Sequence, residues 1–198
     1  MTQGLQAVKV GVLALQGAFR EHREVLEALG VDSLEVRVPE DLGPVGALVL
    51  PGGESSAMNR LLDTSGLRDP LVARLRDGMP AFGTCAGLIL LAREIHDGRP
   101  DQVPFGVLDA SVRRNGYGRQ RESFEVELAV EGLTGPFPGV FIRAPVVEST
   151  GPGVEVLARH GDAAVLIRER NVWGATFHPE LSGDLRLHEQ FLHAARAA

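Results

Sequence analysis

The chain has 198 residues, of which 44% are hydrophobic and 23% charged, and its formal net charge at pH 7 is −6. This composition is typical of a globular protein with its own core, and the length favours one domain, residues 1–198. The acidic balance argues against nucleic acid as a partner, because phosphate binding needs a concentrated basic surface.

The first half of the chain alternates short strands with helices. Strands are predicted for the apolar runs "VKVGVLAL", "SLEVRV", "GALVLPGG" and "PAFGT". Helices are predicted for "AFREHREVLEALG", for the residues from Glu54 onward, and for "LRDPLVARLRDG" and "AGLILLARE". Alternation at this spacing predicts an α/β fold in three layers, with a mostly parallel sheet flanked by helices.

The second half of the chain is richer in strands. Consecutive strands are predicted for "FGVLDASVRR", "ESFEVELAV", "GVFIRAP", "VEVLARHG", "DAAVLIRER" and "NVWGATF", before a closing amphipathic helix, "DLRLHEQFLHAARAA". Such a run indicates antiparallel strands added at one edge of the sheet or in a small separate sheet.

We find no secretory or membrane-spanning pattern and a single cysteine, so we expect a cytoplasmic protein with no membrane partner.

That cysteine, Cys85, lies between two glycines in "FGTCAGLILLA". Gly83 to Gly87 match the pattern Gly-x-nucleophile-x-Gly, in which a sharp turn from strand to helix presents the nucleophile above a sheet. The start of a helix also favours the thiolate, which is the reactive form of cysteine. The alternative is a small buried hydrophobic residue, the usual role of a lone cysteine.

A cysteine nucleophile needs a base, and His178 in "WGATFHPELSG" is the strongest candidate among six histidines. Its position just past a strand, two residues before Glu180, predicts a hydrogen bond between them that aims the second ring nitrogen outward. A structural His–Glu pair is the alternative. Together with the predicted turn at Cys85, which we call the nucleophile elbow, these residues predict a triad of Cys85, His178 and Glu180. Three other histidines lie in predicted helices, where a helix face or the edge of the core explains them: His22, His188 and His193.

The stretch "LVLPGGESS" predicts a strand that ends in a glycine turn at the ligand-binding edge of the sheet. We expect an oxyanion hole from the N–H groups of Gly52 and Gly53, with Ala86 following the nucleophile. A plain turn before a serine-capped helix is the alternative. A phosphate loop is excluded because no Gly-Lys-Ser/Thr follows, and neither a metal nor a cofactor is expected because no cluster has ligand spacing.

With these motifs in place, the sequence resembles the class I (triad) glutamine amidotransferases, and within them the glutaminase subunits of pyridoxal phosphate synthases. The resemblance spans nearly the whole chain and implies a flavodoxin-like fold with added antiparallel strands. It is carried by "VGVLALQGAFREH", "LVLPGGESSAMNRLL", "PAFGTCAGLILLA", "VRRNGYGRQRESFE", "VFIRAP" and "WGATFHPEL".

The resemblance implies a role for each matching residue. Cys85 attacks the side-chain amide of glutamine, His178 passes a proton to the leaving ammonia, and Glu180 orients His178. The glutamine pocket is implied to comprise Gly53, Glu54, Ser55, Arg114, Ile142 and Arg143. Three slight departures from the family pattern, at Ser56, Tyr117 and Ser182, do not touch this chemistry.

The implied activity is hydrolysis of glutamine through a thioester, with the ammonia passed to a synthase subunit that is a (β/α)₈ barrel and builds pyridoxal phosphate (vitamin B6). Two alternatives remain at this point. A γ-glutamyl hydrolase or related cysteine peptidase would share the triad, and a catalytically silent subunit would only assemble or regulate the barrel.

Overall fold

The computed structural model describes residues 8–114, 116 and 123–197. Its helices are α1 (Phe19–Ala28), α2 (Ser55–Thr64), α3 (Arg68–Arg76), α4 (Ala86–Leu91) and α5 (Arg186–Ala197). Its strands are β1 (Val10–Leu13), β2 (Ser33–Val36), β3 (Ala47–Leu50), β4 (Ala81–Thr84), β5 (Ala92–His96), β6 (Leu108–Arg113), β7 (Ser123–Leu128), β8 (Phe137–Ile142), β9 (Val146–Thr150), β10 (Glu155–His160), β11 (Ala163–Glu169) and β12 (Val172–Ala175). Short 3-10 turns cover Pro39–Leu42 and Pro179–Leu181.

The central sheet has seven strands in the order β10-β11-β12-β4-β3-β1-β2. The five strands from β12 to β2 are parallel to one another, whereas β10 and β11 extend the sheet in antiparallel fashion. The described residues also form a three-stranded sheet, β5-β6-β9, and a β7-β8 hairpin. This topology confirms the predicted mostly parallel sheet with added antiparallel strands.

Each face of the central sheet buries its own core, so the molecule has three layers. Strand β3 supplies Leu48 and Leu50 to one face and Ala47 and Val49 to the other, as the two-residue period of a strand requires. The first core packs against α2, α3, α4 and the β5-β6-β9 sheet. The second packs against α1, α5 and the β7-β8 hairpin.

Helix α4 is shorter than the sequence predicts. The run "AGLILLARE" predicts a helix to Glu94, but the chain leaves the helix at Ala92, which has an extended ψ of 157°, and continues as β5. The cause is tertiary: the N–H groups of Phe105 and Val107 donate to the carbonyls of Leu90 and Leu91. These bonds occupy acceptors at the helix end and turn the following residues into a sheet.

The strand-rich second half is confirmed, with two differences. The run "NVWGATF" forms β12, which pairs antiparallel with β11 but lies parallel to β4 inside the sheet. All four residues of β12 are buried, as expected of a strand covered on both faces. Strand β9, over the "VVEST" segment, was not predicted and pairs with β6.

No helix in the described ranges is both long enough and apolar enough to cross a membrane.

Candidate active site

Three neighbouring parallel strands, β3, β4 and β12, end at the same edge of the central sheet. Strand β3 leads into Gly52 and Gly53, β4 leads into Cys85, and β12 leads through two residues to His178. Open α/β sheets bind ligands at this carboxyl edge. The topology therefore brings together three motifs that lie up to about 130 residues apart in the sequence.

The turn at Cys85 has the geometry that the glycine pattern predicts. Cys85 has a φ of +49° and ψ of −103°, and α4 begins at the next residue. A Cβ on Gly83 would lie 2.6 Å from the backbone of Gly87, and one on Gly87 would overlap the carbonyl of Leu50. Both glycines are required because backbone passes where a side chain would stand. Cys85 is buried but lines a cavity, and its Sγ atom lies 4.0 Å from the carbonyl oxygen of Ile142.

His178 and Glu180 form the predicted pair. The Nδ1 atom of His178 lies 2.7 Å from Oε1 of Glu180, and both side chains are buried. Burial acts to lower the pKa of His178, but its hydrogen bonds with Cys85 and Glu180 outweigh burial and raise the pKa to about 10. The ring is therefore an imidazolium at neutral pH and lies beside the sulfur of Cys85.

Glu180 remains ionised although it is buried. Burial acts to raise the pKa of this carboxyl group, while the ring of His22 and the hydrogen bond from His178 hold the pKa below its usual value. The carboxylate therefore fixes the Nδ1–H tautomer of His178 and leaves Nε2 for the sulfur and the substrate.

A cavity of about 320 Å³ opens in front of Cys85 and His178. All six residues implied for the glutamine pocket line it: Gly53, Glu54, Ser55, Arg114, Ile142 and Arg143. Two further lining residues, Gln16 and Ile89, were not predicted. The Oε1 atom of Gln16 accepts a hydrogen bond of 2.8 Å from the N–H of Glu54. The sequence feature that could have pointed to Gln16 is the stretch "ALQG", which contains it.

One wall of the cavity carries paired charges. The carboxylate of Glu54 caps α2 by accepting from the N–H groups of Ser56 and Ala57, and it lies 2.9 Å from Nη2 of Arg114. Partial burial acts to raise the pKa of Glu54, but the hydrogen bonds from Ser56 and Ala57 and the charge of Arg114 hold it below its usual value. A charged donor and a charged acceptor thus face the cavity side by side.

Arg143, which also lines the cavity, has a strained backbone conformation. Its φ is +46°, in the left-handed region that non-glycine residues rarely adopt. Strain of this kind persists where the surrounding structure enforces it, and it is frequent at functional sites. Ile142, the last residue of β8, and Arg143, which follows it, both line the cavity.

The glycine turn lies directly against the reacting groups. A Cβ on Gly52 would overlap the ring of His178 and lie 3.3 Å from Cβ of Cys85. The Gly52 carbonyl accepts a hydrogen bond of 3.0 Å from the N–H of Ala18, which fixes the turn against the loop after β1. Gly53 lines the cavity, and Ala86 is the first residue of α4, where N–H groups have no acceptor inside the helix.

The sequence predicts His22 and His188 on a helix face or at the edge of the core, and both are completely buried, behind the triad. His22 Nδ1 lies 2.9 Å from His188 Nε2, and His22 Nε2 lies 3.0 Å from Thr84 Oγ1 and 3.3 Å from Glu180 Oε2. No sequence signal links these residues, because His22 and His188 are 166 positions apart.

Part of the "VRRNGYGRQRESFE" stretch, including Tyr117, lies outside the described residues. Within the described ranges, no group of three or more His, Cys, Asp or Glu side chains is arranged to hold a metal ion.

Known proteins resemble this chain over nearly its whole length. The sequence model of the SNO glutamine amidotransferase family matches residues 12–196. The chain is 57% identical over 187 residues to the pyridoxal 5'-phosphate synthase subunit PdxT of Thermus thermophilus, covering 94% of this chain and 97% of that relative. It is 54% identical to the protein of the same name from Pelotomaculum thermopropionicum, covering 93% and 94% of the two chains.

Solved structures of glutamine amidotransferases also superpose on this chain. A crystal structure of a glutamine amidotransferase superposes with a TM-score of 0.89 at 55% identity, covering 94% of this chain and 98% of the other. A second glutamine amidotransferase, from Thermotoga maritima, superposes with a TM-score of 0.62 at 14% identity, over 97% of this chain and 96% of the other, and so shares the fold.

Proposed function

Because the chain belongs to the SNO glutamine amidotransferase family, we propose that it is the glutamine-hydrolysing subunit of a pyridoxal 5'-phosphate synthase. The observation that carries this proposal is the elbow cysteine, Cys85, beside a histidine whose other nitrogen is bonded to Glu180. In this function, residues 1–198 act as one glutaminase domain.

The reaction begins at the thiolate of Cys85, which attacks the side-chain amide carbon of glutamine. The carbonyl oxygen becomes an oxyanion, held by N–H groups of the Gly52–Gly53 turn and of Ala86. His178 then gives its proton to the amide nitrogen, the C–N bond breaks, and ammonia leaves a γ-glutamyl thioester on Cys85.

The second half of the reaction uses the same groups in reverse roles. The neutral His178 takes a proton from water, the resulting hydroxide attacks the thioester, and glutamate leaves as the thiolate is restored. Glu180 holds the ring in one tautomer throughout and stabilises the imidazolium whenever it forms.

The cavity walls suit the amino-acid end of glutamine. Arg114 and Arg143 provide guanidinium groups for the α-carboxylate, and the Glu54 carboxylate provides an acceptor for the α-ammonium. Ser55 and Ile142 complete the wall beside the side chain of the substrate.

The ammonia goes to a synthase partner with a (β/α)₈ barrel fold, which builds pyridoxal 5'-phosphate for vitamin B6 biosynthesis within a hetero-oligomeric complex. Support comes from the names of the relatives, which are subunits of such a synthase. Transfer inside a complex is also chemically sensible, because ammonia released freely is lost to water.

A cytoplasmic location is part of this proposal, supported by the single cysteine without a disulfide partner.

The proposal is tested by labelling with a glutamine-analogue electrophile and by comparing substrates. The reagent should modify the native chain in the complex once, at Cys85, and free glutamine should protect the thiol. Hydrolysis of γ-glutamyl peptides in preference to glutamine would instead assign a γ-glutamyl hydrolase, and absence of labelling would assign a silent subunit.

A further inference from the structure

Behind the carboxylate of Glu180 lies a buried pair of histidines that the steps above do not use. His22 on α1 and His188 on α5 are both completely buried, and their rings meet through Nδ1 of His22 and Nε2 of His188 at 2.9 Å. The far nitrogen of His22, Nε2, lies 3.3 Å from Oε2 of Glu180. Thr84, the residue before the nucleophile, lies 3.0 Å from the same nitrogen.

Burial of these two polar rings does not stabilise the fold. Burial of a polar ring without full hydrogen bonding costs free energy, and within the described residues Nδ1 of His188 has no hydrogen-bond partner. The surrounding core is aromatic: the Phe82 and His188 ring centroids are 5.7 Å apart. An apolar side chain at either position would meet the same neighbours without the desolvation cost, so the cost points to a role beyond packing.

The acceptor at the end of the pair decides which nitrogens carry protons. Oε2 of an ionised Glu180 can only accept, so the Nε2 of His22 must carry the hydrogen that faces it. In a neutral ring the Nδ1 of His22 is then an acceptor, and His188 must donate from Nε2. His188 thus fixes the tautomer of His22 just as Glu180 fixes the tautomer of His178.

Both rings are neutral in this setting. Burial lowers the pKa of His22, against the opposing effect of Glu180. The titratable groups that face it are Glu180 and His178 beside the 3-10 turn, the neutral His188 on α5, and Glu21 on α1 itself. Burial, together with His22, lowers the pKa of His188 to about 3.

The role of His22 follows from the other carboxylate oxygen. Oε1 of Glu180 is bonded to His178, whereas Oε2 receives no hydrogen bond of ordinary geometry from any described residue. The His22 N–H, shared with Thr84, is the polar group placed beside it. We propose that His22 is a positioning residue of the triad, which holds Glu180 through Oε2 and is itself held by His188. This inference rests on the proposed function, in which His178 and Glu180 work with Cys85.

The test compares His22→Leu, which removes the donor, with His22→Gln, which keeps an N–H donor on a side chain of similar reach. Three quantities are measured: kcat and KM for glutamine in the complex with the synthase subunit, the rate at which iodoacetamide alkylates Cys85 at pH 7, and the thermal midpoint. We expect His22→Leu to lower kcat at least ~10-fold and to slow alkylation, because a loosened Glu180 misplaces His178. KM should change by less than about 2-fold, and His22→Gln should recover most of kcat.

A purely structural role predicts a different pattern. A lower thermal midpoint in His22→Leu, with kcat and the alkylation rate both unchanged, would overturn the proposal. Should His22→Leu fail to fold, His188→Phe decides, because it leaves His22 in place without the partner that fixes its tautomer. A several-fold loss of kcat in His188→Phe supports the proposal, and an unchanged kcat refutes it. Because alkylation needs no glutamine, an inactive native chain would refute the proposed function and still leave the His22 comparison readable.

Discussion

Nδ1 of His178 lies 2.7 Å from Oε1 of Glu180, and only Pro179 separates the two residues in the sequence. This contact helps to raise the pKa of His178 to about 10 against the effect of burial. Because the folded-state pKa lies above the ordinary value of 6.5, the pair stabilises the fold fully below about pH 6.5, and that stability is lost as the pH rises toward 10. In the proposed reaction the leaving ammonia takes the proton on the other ring nitrogen, Nε2, while Nδ1 stays bonded to Glu180.

Replacement of Gly52 by alanine tests the position of the glycine turn. A Cβ there overlaps the ring of His178 and approaches Cβ of Cys85, so the turn or the ring must move. We expect kcat to fall about 100-fold, the order expected when a reacting group or an oxyanion donor is displaced. Gly43→Ala is the control for the substitution type, since Gly43 has a helical φ of −51° and its Cβ would meet only the carbonyl oxygen of Glu40, at an ordinary contact distance of 3.4 Å. Glutamine hydrolysis by Gly52→Ala at the native rate would contradict the account of the turn.

Backbone strain at Cys85 can be measured as a difference in the free energy of unfolding between two variants. Glycine in place of alanine usually destabilises a folded protein by about 0.5–1 kcal/mol. At Cys85 we expect the glycine variant to be at least as stable as the alanine variant, because the backbone there (φ +49°, ψ −103°) is sparsely populated by residues with a Cβ and costs them about 1–3 kcal/mol. Urea denaturation of Cys85→Gly and Cys85→Ala measures the difference. A Cys85→Ala protein more stable than Cys85→Gly by about 1 kcal/mol, the full ordinary difference, would argue against a strained elbow.

The role of Arg114 in the glutamine pocket can be tested against its neighbour Arg113, which does not line the cavity. Arg114 lines the cavity beside Glu54, whereas Arg113 pairs with Asp97 and Glu148 on the exposed side. Loss of a charge-assisted hydrogen bond of about 1.5–3 kcal/mol predicts a KM for glutamine roughly 10- to 100-fold higher in Arg114→Ala. Steady-state kinetics should show a nearly unchanged KM in Arg113→Ala. Equal effects of the two substitutions would remove Arg114 from the pocket.

The buried His188 makes the protein sensitive to acid. Its pKa is lowered to about 3, so between about pH 3 and 6.5 the unfolded chain binds a proton at this residue that the folded chain does not. Stability is therefore lost as the pH falls below about 6.5, by up to about 1.4 kcal/mol per pH unit from this group.

The variant His188→Phe should accordingly show a shallower dependence of the unfolding free energy on pH between about 4 and 6. Urea denaturation at several pH values measures this slope, and replacement of the exposed His193 controls for substitution on the same helix. An unchanged slope in His188→Phe would mean that this residue is not buried in its neutral form.

The sequence reveals those parts of the site that are local in the chain. Gly83, Cys85 and Gly87 predict the elbow because their spacing is a steric requirement of one turn. His178 and Glu180 predict their own hydrogen bond because two residues in extended backbone point the same way. Arg114 and Arg143 could be placed only through the family resemblance, since an arginine at a strand end is ordinarily a surface residue.

The parts that sequence reasoning missed are set by contacts between distant segments. Helix α4 ends at Leu91 because residues 105–107 bond to its last carbonyls, and no residue near Leu91 signals that. The place of β12 inside the sheet depends on strand order, although its uninterrupted burial fits a central parallel strand. His22 appeared as a helix-face residue because its partners, Thr84, Glu180 and His188, belong to three other elements.

Glutamine-dependent ammonia release by the purified chain, alone and with the synthase barrel subunit, tests the proposed glutaminase function most directly. We expect strong stimulation by the barrel and complete loss of ammonia release in Cys85→Ala, with the variant still folded and still bound to the barrel. Ammonia release that persists in Cys85→Ala would contradict the chemistry assigned to Cys85. High activity of the chain alone, indifferent to the barrel, would contradict its role as a subunit of the synthase.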